Sequence, residues 1–500
     1  MKKIAWLFLL AIPAWCDPAR VTISTEKPAY LLGENVLLRF RVENLSKESI
    51  FVDTGGDYRG SPRALRYQVE AFDSQGKLLA DPHPNPMCFG GLSCRLEVKP
   101  GQSFQASLAL AHYRRIPGVG KFRICVTHDL GWKKAPRAWM DLEFRQPTAQ
   151  QADQLVQRMQ HTPGQVSVSI GQLTPDFRDF WTLSYPIYLQ PLTRLASAEA
   201  LIGLGQIPGP AALASLLQLS HKPNLRLAAA RQLHLRLPAR WDHRYDQATR
   251  ALARQLLQGG PEEISCGANL LERVGNKNDL PLLLTVLEQN LAAVSSYPRP
   301  AGPAYDLERA LLALPPLTGP PTTSAARVKA LQSKRVAVQL ATQSLTDRAA
   351  RVRELAVLAL EKPPVDLLRD ADPGVQVAAC EKLPGDPALL SVLQSTQDEW
   401  VLRAAAGAAR TGQRFGCAQI LTQRLQEKAR WRVVFSALAE TVMTKVHGSS
   451  SNGDPEQSEL ESLVGNWQRF LASHQQEIEQ GKTFERLPAE LVPSNFQFNF

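Results

Sequence analysis

Two cysteines six positions apart, Cys88 and Cys94, flank the pair Gly90-Gly91 in the segment HPNPMCFGGLSC, with His83 just upstream. Thiols and an imidazole this close together suit three kinds of chemistry: metal ligation, thiol exchange or a covalent staple. His83, Cys88, Cys94 and His112 match no zinc-ligand spacing, so no metal site is assigned. The choice between a reactive pair and a disulfide turns on the compartment, because disulfides persist only in oxidising surroundings.

The first residues speak to the compartment. Lys2 and Lys3 precede an apolar run from Ile4 to Ile12, then Ala14, Trp15 and Cys16, the order of a secretory signal peptide cleaved after residue 16. The run is too short for a permanent anchor, and no later stretch nears the ~18 uninterrupted apolar residues of a membrane span. Lipid attachment at Cys16 is opposed by Trp15, where a lipoprotein signal wants a small residue. The expected location is periplasmic or secreted. There the first expectation is a Cys88–Cys94 disulfide, with the glycine pair turning the chain between them. Cys125 is the rival partner for either thiol. Cys266, Cys380 and Cys417 fall within helical patterns and read as small core residues.

Other chemistry is sparse. H-E-x-x-H, G-x-S-x-G and the P-loop are all absent from the sequence. GLGQIPG (residues 203–209) follows a helical pattern instead of a strand, which disqualifies it as a dinucleotide loop. His128 and Asp129 are neighbours with no nucleophile to serve. No catalytic residue and no cofactor is assigned. The net charge of +10 falls to +8 once Lys2 and Lys3 leave. The basic groups Lys133, Lys134, Arg137 and Arg348, Arg351, Arg353 lack the interleaved aromatics of single-strand binders and read as solvated faces, so nucleic acid is not expected. An anionic envelope surface or an acidic protein suits the charge better.

The positioning elements fall into two classes. From Val21 to Phe144 the pattern has period two: Val36, Leu38, Phe40 and Val42 alternate with Leu37, Arg39, Arg41 and Glu43, and Tyr67 to Phe72 alternates likewise before a Ser-Gln-Gly turn. VKPGQSFQASLAL and GKFRICVTHD add two more strands. Short strands punctuated this way predict an antiparallel β-sandwich. Beyond Pro147 the chain turns to Ala, Leu, Gln and Arg. TRLASAEALIGLGQIPGPAALASLLQL pairs a small-residue helix with a Leu-rich one, and the grammar returns at residue 225, at CGANLLERVGNKNDLPLLLTVLEQ, at Asp372 and at Asp398. Val375, Ala378, Ala379 and Leu383 form one apolar stripe; Asp372-Pro373 signals a helix start, and Gly205, Gly275 and Gly412 fit helix ends. Such units bury their faces only by stacking.

KPAYLLGENVLLRFRVENLSKESIFV and IPGVGKFRICV resemble bacterial immunoglobulin-like domains and the proteinase-inhibitor fold, which implies a binding or spacer module. The helical copies resemble short bacterial HEAT repeats, which implies a protein-binding scaffold. Arg194, Arg226, Arg353 and Arg432 recur beside the first apolar position and, as in that family, are expected on Asp side chains or backbone carbonyls between repeats.

The expected chain is therefore multidomain, all-β plus all-α: signal peptide 1–16; immunoglobulin-like sandwich 17–147; helical adaptor 148–192; HEAT-like α-solenoid 193–446 with a proline-rich loop or hinge at 297–323; and linker, capping helix and tail 447–500, with Trp467, Phe470 and Leu471 on the helix's buried face. The expected function is a noncatalytic exported scaffold for protein partners whose identity, like the oligomeric state, the sequence does not reveal. The alternatives are a peptidase inhibitor or regulatory subunit acting through the sandwich, or an enzyme with an unrecognised site.

Overall fold

Alternation along residues 36–44 is reproduced by burial: Val36, Leu38, Phe40 and Val42 are inside, while Arg39 and Arg41 face out. The computed structural model describes residues 19–57, 61, 63–88, 90–91, 93–160, 179–236, 242–291, 302–333, 336–443, 449–451, 454–494 and 496–498. The signal peptide and Cys16 lie outside these residues.

Among the described residues nine strands form the β domain: β1 (Ala19–Ser24), β2 (Ala29–Leu31), β3 (Leu37–Asn44), β4 (Ile50–Gly55), β5 (Tyr67–Phe72), β6 (Ser93–Val98), β7 (Ser103–Ala109), β8 (Gly120–His128) and β9 (Arg137–Arg145). They make three sheets, ordered β1-β3-β7, β2-β9-β8-β5 and β4-β6. Side chains of the first two sheets share one core, with Phe40 and Val42 among Val69, Ile124 and Leu142. The expected all-antiparallel pairing fails at one place: β2 runs parallel to β9, Ala29 opposite Glu143. The sequence hides this because β2 is three residues long, too short to show a period.

The chain divides into two compact units, residues 1–245 and 246–500. In the first, helices follow the β domain. Tyr188 is fully buried and donates its hydroxyl to the Leu32 carbonyl. Gly33, at φ +94°, makes room for that ring, since a Cβ there would lie 2.6 Å from Tyr188 Cε2. Gly205 is not the expected helix end. It lies inside Ala198–Gln206, and its missing side chain is replaced by Gln232 of the helix Pro223–Arg236.

In the second unit, helices pack on their sequence neighbours and next-but-one neighbours. Pro373–Lys382 lies between Ala350–Ala359 and Glu399–Ala409, which in turn meets Trp431–Val442; Ala388–Ser395 packs on Arg414–Arg424. The stripe Val375, Ala378, Ala379 and Leu383 is wholly buried. Asp372 accepts from the Gly374 and Val375 N–H groups, and Asp398 from those of Trp400 and Val401, so both starts are side-chain capped.

Of the expected loop or hinge at 297–323, residues 297–301 lie outside the described ones, and residues 302–323 are not all loop. Within them Pro303–Ala313 is a helix that packs on Pro261–Val274 and Leu280–Leu291. Pro303 occupies the first helical position, where no N–H is needed, and Pro315, Pro316, Pro320 and Pro321 fall beyond the end. Further on, the helix Gln457–Ser473 buries Trp467 and Leu471, with Phe470 partly covered. Phe496, on β11 (Phe496–Phe498) paired with β10 (Ser449–Ser451), meets Trp431 and Phe435 edge-on at 6.0 and 4.7 Å. Among the described residues no helix is long and apolar enough to cross a membrane.

Candidate functional site

The segment from His83 to Cys94 joins β5 to β6 and is anchored at one end by Arg63. Its guanidinium meets Asp81 in a fork, at 2.7 and 2.6 Å, and also donates to the His112 and His83 carbonyls. Burial would raise the Asp81 carboxyl, but the Arg63 hydrogen bond and the His83 N–H outweigh it and hold it below the ordinary range. His83 stacks on Trp181 with centroids 5.7 Å apart, and burial beside Arg63 lowers its pKa. His112 Nε2 lies 3.3 Å from Asp179 Oδ2. A histidine–carboxylate pair can orient an imidazole for proton transfer. Among the described residues, no group of three or more metal-ligating side chains converges here or elsewhere.

Both sequence-selected thiols are free and exposed, and neither is bonded to the other or to Cys125. Strand register explains it. Cys94 belongs to β6, opposite Thr54 of β4, while the Cys88 sulfur turns onto its own loop and accepts the Gly90 N–H at 3.4 Å. Cys125 is buried on β8 between Glu70 and Trp139. Cys266, Cys380 and Cys417 are buried, and burial pushes the last two thiols up to about 12 and about 11. In native protein, Cys88 and Cys94 are expected to label rapidly with a thiol reagent, and the buried four only after unfolding. Peptide mapping checks this; an oxidised pair would instead label only after reductant.

A second cluster lies at the end of β8, around the sequence neighbours His128 and Asp129, which the fold joins to Tyr67 and Arg66. His128 is 1% exposed, its ring 4.2 Å from that of Tyr67. Nδ1 accepts the Leu130 N–H at 2.8 Å, and buried Nε2 has no partner. Asp129 beside it pairs with Arg66. Burial, reinforced by Arg66 and opposed by Asp129, takes the His128 pKa down to about 4. That makes it a neutral structural imidazole at neutral pH.

Three of the four recurring arginines meet carboxylates, Arg353 largely buried and Arg194 and Arg432 on the surface. Arg353 grips Asp370 at 2.8 and 2.7 Å and the Asp347 carbonyl at 2.9 Å; Arg432 meets Asp454 at 2.9 Å, and Arg194 meets Asp153. Arg226 differs, its buried Nε having no partner. Other arginines cap helix ends, with Arg236 on the Leu204 and Ile207 carbonyls and Arg424 on that of Leu393. Lys133, Lys134 and Arg137 are solvated as expected, but the group at 348–353 is not: Arg351 and Arg353 are largely buried in ion pairs, and only Arg348 stays exposed.

No protein-family model matches the chain, and no curated protein matches it. Solved structures that align with parts of it include the following three. The sporulation control protein Spo0M from Bacillus subtilis is 14% identical over 30% of this chain and 56% of its own, with a TM-score of 0.17. A Listeria innocua β-glucosidase in complex with glucose is 12% identical over 25% and 16%, at 0.14. A Salmonella α-2-macroglobulin mutant is 14% identical over 88% and 28%, at 0.15. The chain thus spans little more than half, or less, of each. Likenesses at these scores carry no argument about fold or function.

Proposed function

We propose that the protein is an exported, noncatalytic scaffold: an immunoglobulin-like β-sandwich followed by a HEAT-like α-solenoid that holds protein partners in the cell envelope. The observation that carries this reading is how the second unit distributes its side chains. Buried cations such as Arg351 and Arg424 are held by internal carboxylates and carbonyls, while Tyr305, Val338, Leu358, Val365 and Trp400 stay exposed. Apolar and aromatic side chains left on a surface are the usual anchors of protein contacts. The test is capture from an envelope fraction by the intact protein and by a Trp400→Asp, Leu358→Asp double variant. A discrete protein retained by the first and lost by the second is the expected result. Retention of nothing, or of the same set by both, overturns the reading.

A further inference from the structure

The second unit contains an open cavity of 490 Å³ where Pro303–Ala313, Ser324–Leu331 and Val338–Ser344 meet. Its size falls within the range of small-molecule sites. Leu312, Leu314, Leu317, Val336 and Leu340 line it, and no aromatic side chain does. Gln332 and Ser333 are polar members of its wall, and its charged member is Lys329, a residue only 7% exposed.

Lys329 Nζ donates to the Leu311 and Leu314 carbonyls, at the end of Pro303–Ala313. An ammonium has three donors, so one is left over. Among the described residues no carboxylate pairs with it, and burial lowers its pKa. Two largely buried arginines of the same unit are held differently. Arg353 and Arg424 each add a carboxylate, Asp370 or Glu427, to the carbonyl they cap. Glu308, on the same helix as Leu311, is taken up by Arg351 and Gln332. Lys329 alone of these stands on carbonyls only, at the edge of an apolar space where a counter-charge would fit.

We propose that this cavity binds an aliphatic monocarboxylate of the fatty-acid type, its carboxylate on Lys329 Nζ and its chain along Leu312, Leu317 and Leu340. One buried cation calls for one negative charge, and a carboxylate supplies it with an acceptor for the spare donor. Walls of leucine, valine and proline, without a ring to stack on, favour an alkyl chain over an aromatic acid. This reading does not depend on the scaffold function.

The test is calorimetric titration of the full-length protein with decanoate, decanol and decyltrimethylammonium. Decanoate is expected to bind at one equivalent, with decanol at least tenfold weaker and the cation not binding. Lys329→Met should abolish the preference for decanoate over decanol. Should that variant not fold, Ala337→Trp decides: it fills the cavity from an exposed wall position, and decanoate binding must be lost. Absence of decanoate binding, equal binding of decanol, or binding that survives Ala337→Trp each overturns the proposal.

Discussion

Replacing Arg351 by methionine is expected to destabilise the second unit by about 3–5 kcal/mol at neutral pH, the usual cost of removing one member of a buried ion network. Arg351 Nε and Nη2 meet Glu308 at 3.1 Å, and Nη1 meets Glu354 at 2.8 Å. Burial disfavours its charge, but the hydrogen bonds and charges of the two carboxylates prevail and raise its pKa. Burial raises the Glu354 pKa, and Arg351 is what opposes that rise. Without Arg351, two buried carboxylates would share one apolar site. The Glu354 pKa would climb further, so the penalty should be full at pH 7 and shrink as pH falls and Glu354 takes up a proton. Urea denaturation of both proteins at pH 7 and pH 5 checks this. Adding Glu308→Gln to the variant should restore part of the loss. A deficit unchanged by pH and by the second substitution would mean that methionine merely packs badly.

Acid should weaken the first unit through His128. An unfolded histidine titrates near 6.5, and the buried ring titrates at about 4. The folded pKa is depressed, so between these values the unfolded chain binds the proton and the native state does not. The stability held by the neutral ring is present above pH 6.5 and lost as pH falls towards 4, in all about 3 kcal/mol at 1.36 kcal/mol per unit. The groups facing the ring are Tyr67, which stays neutral throughout, Asp129, which opposes the shift, and Arg66, which adds to it. His83 is lowered too and acts in the same direction. His128→Gln should therefore flatten, without abolishing, the fall in urea midpoint between pH 6.5 and pH 4.5. Identical slopes in wild type and variant would show that the proton goes elsewhere.

What was legible in the sequence follows from where the information sits. Strands such as β3 and β5 announce themselves because one face is buried and alternation survives, and Asp372-Pro373 marks a helix start through local hydrogen bonds alone. β6 was harder: five of its six residues are exposed, so it has no buried face to write a pattern. The helix at 303–313 was masked by prolines that flank it instead of interrupting it. Arg351 looked like one of three surface cations because its partner Glu308 lies 43 residues away. Lys329 and His128 are marked by the carbonyls and rings around them, which spacing along a chain does not encode. The pair Cys88 and Cys94 was found by proximity in sequence, and strand register then set their directions.

Phe496 also bears on the order in which the protein is made. Trp431 and Phe435 are synthesised sixty-five and sixty-one residues before the ring that finally covers them. At 5–20 residues per second that leaves about 3–11 s during which the helix Trp431–Val442 is complete but its aromatic face lacks the Phe496 ring. The nascent chain therefore passes through a sticky interval late in translation, when mispairing and proteolysis compete with the arrival of its own lid.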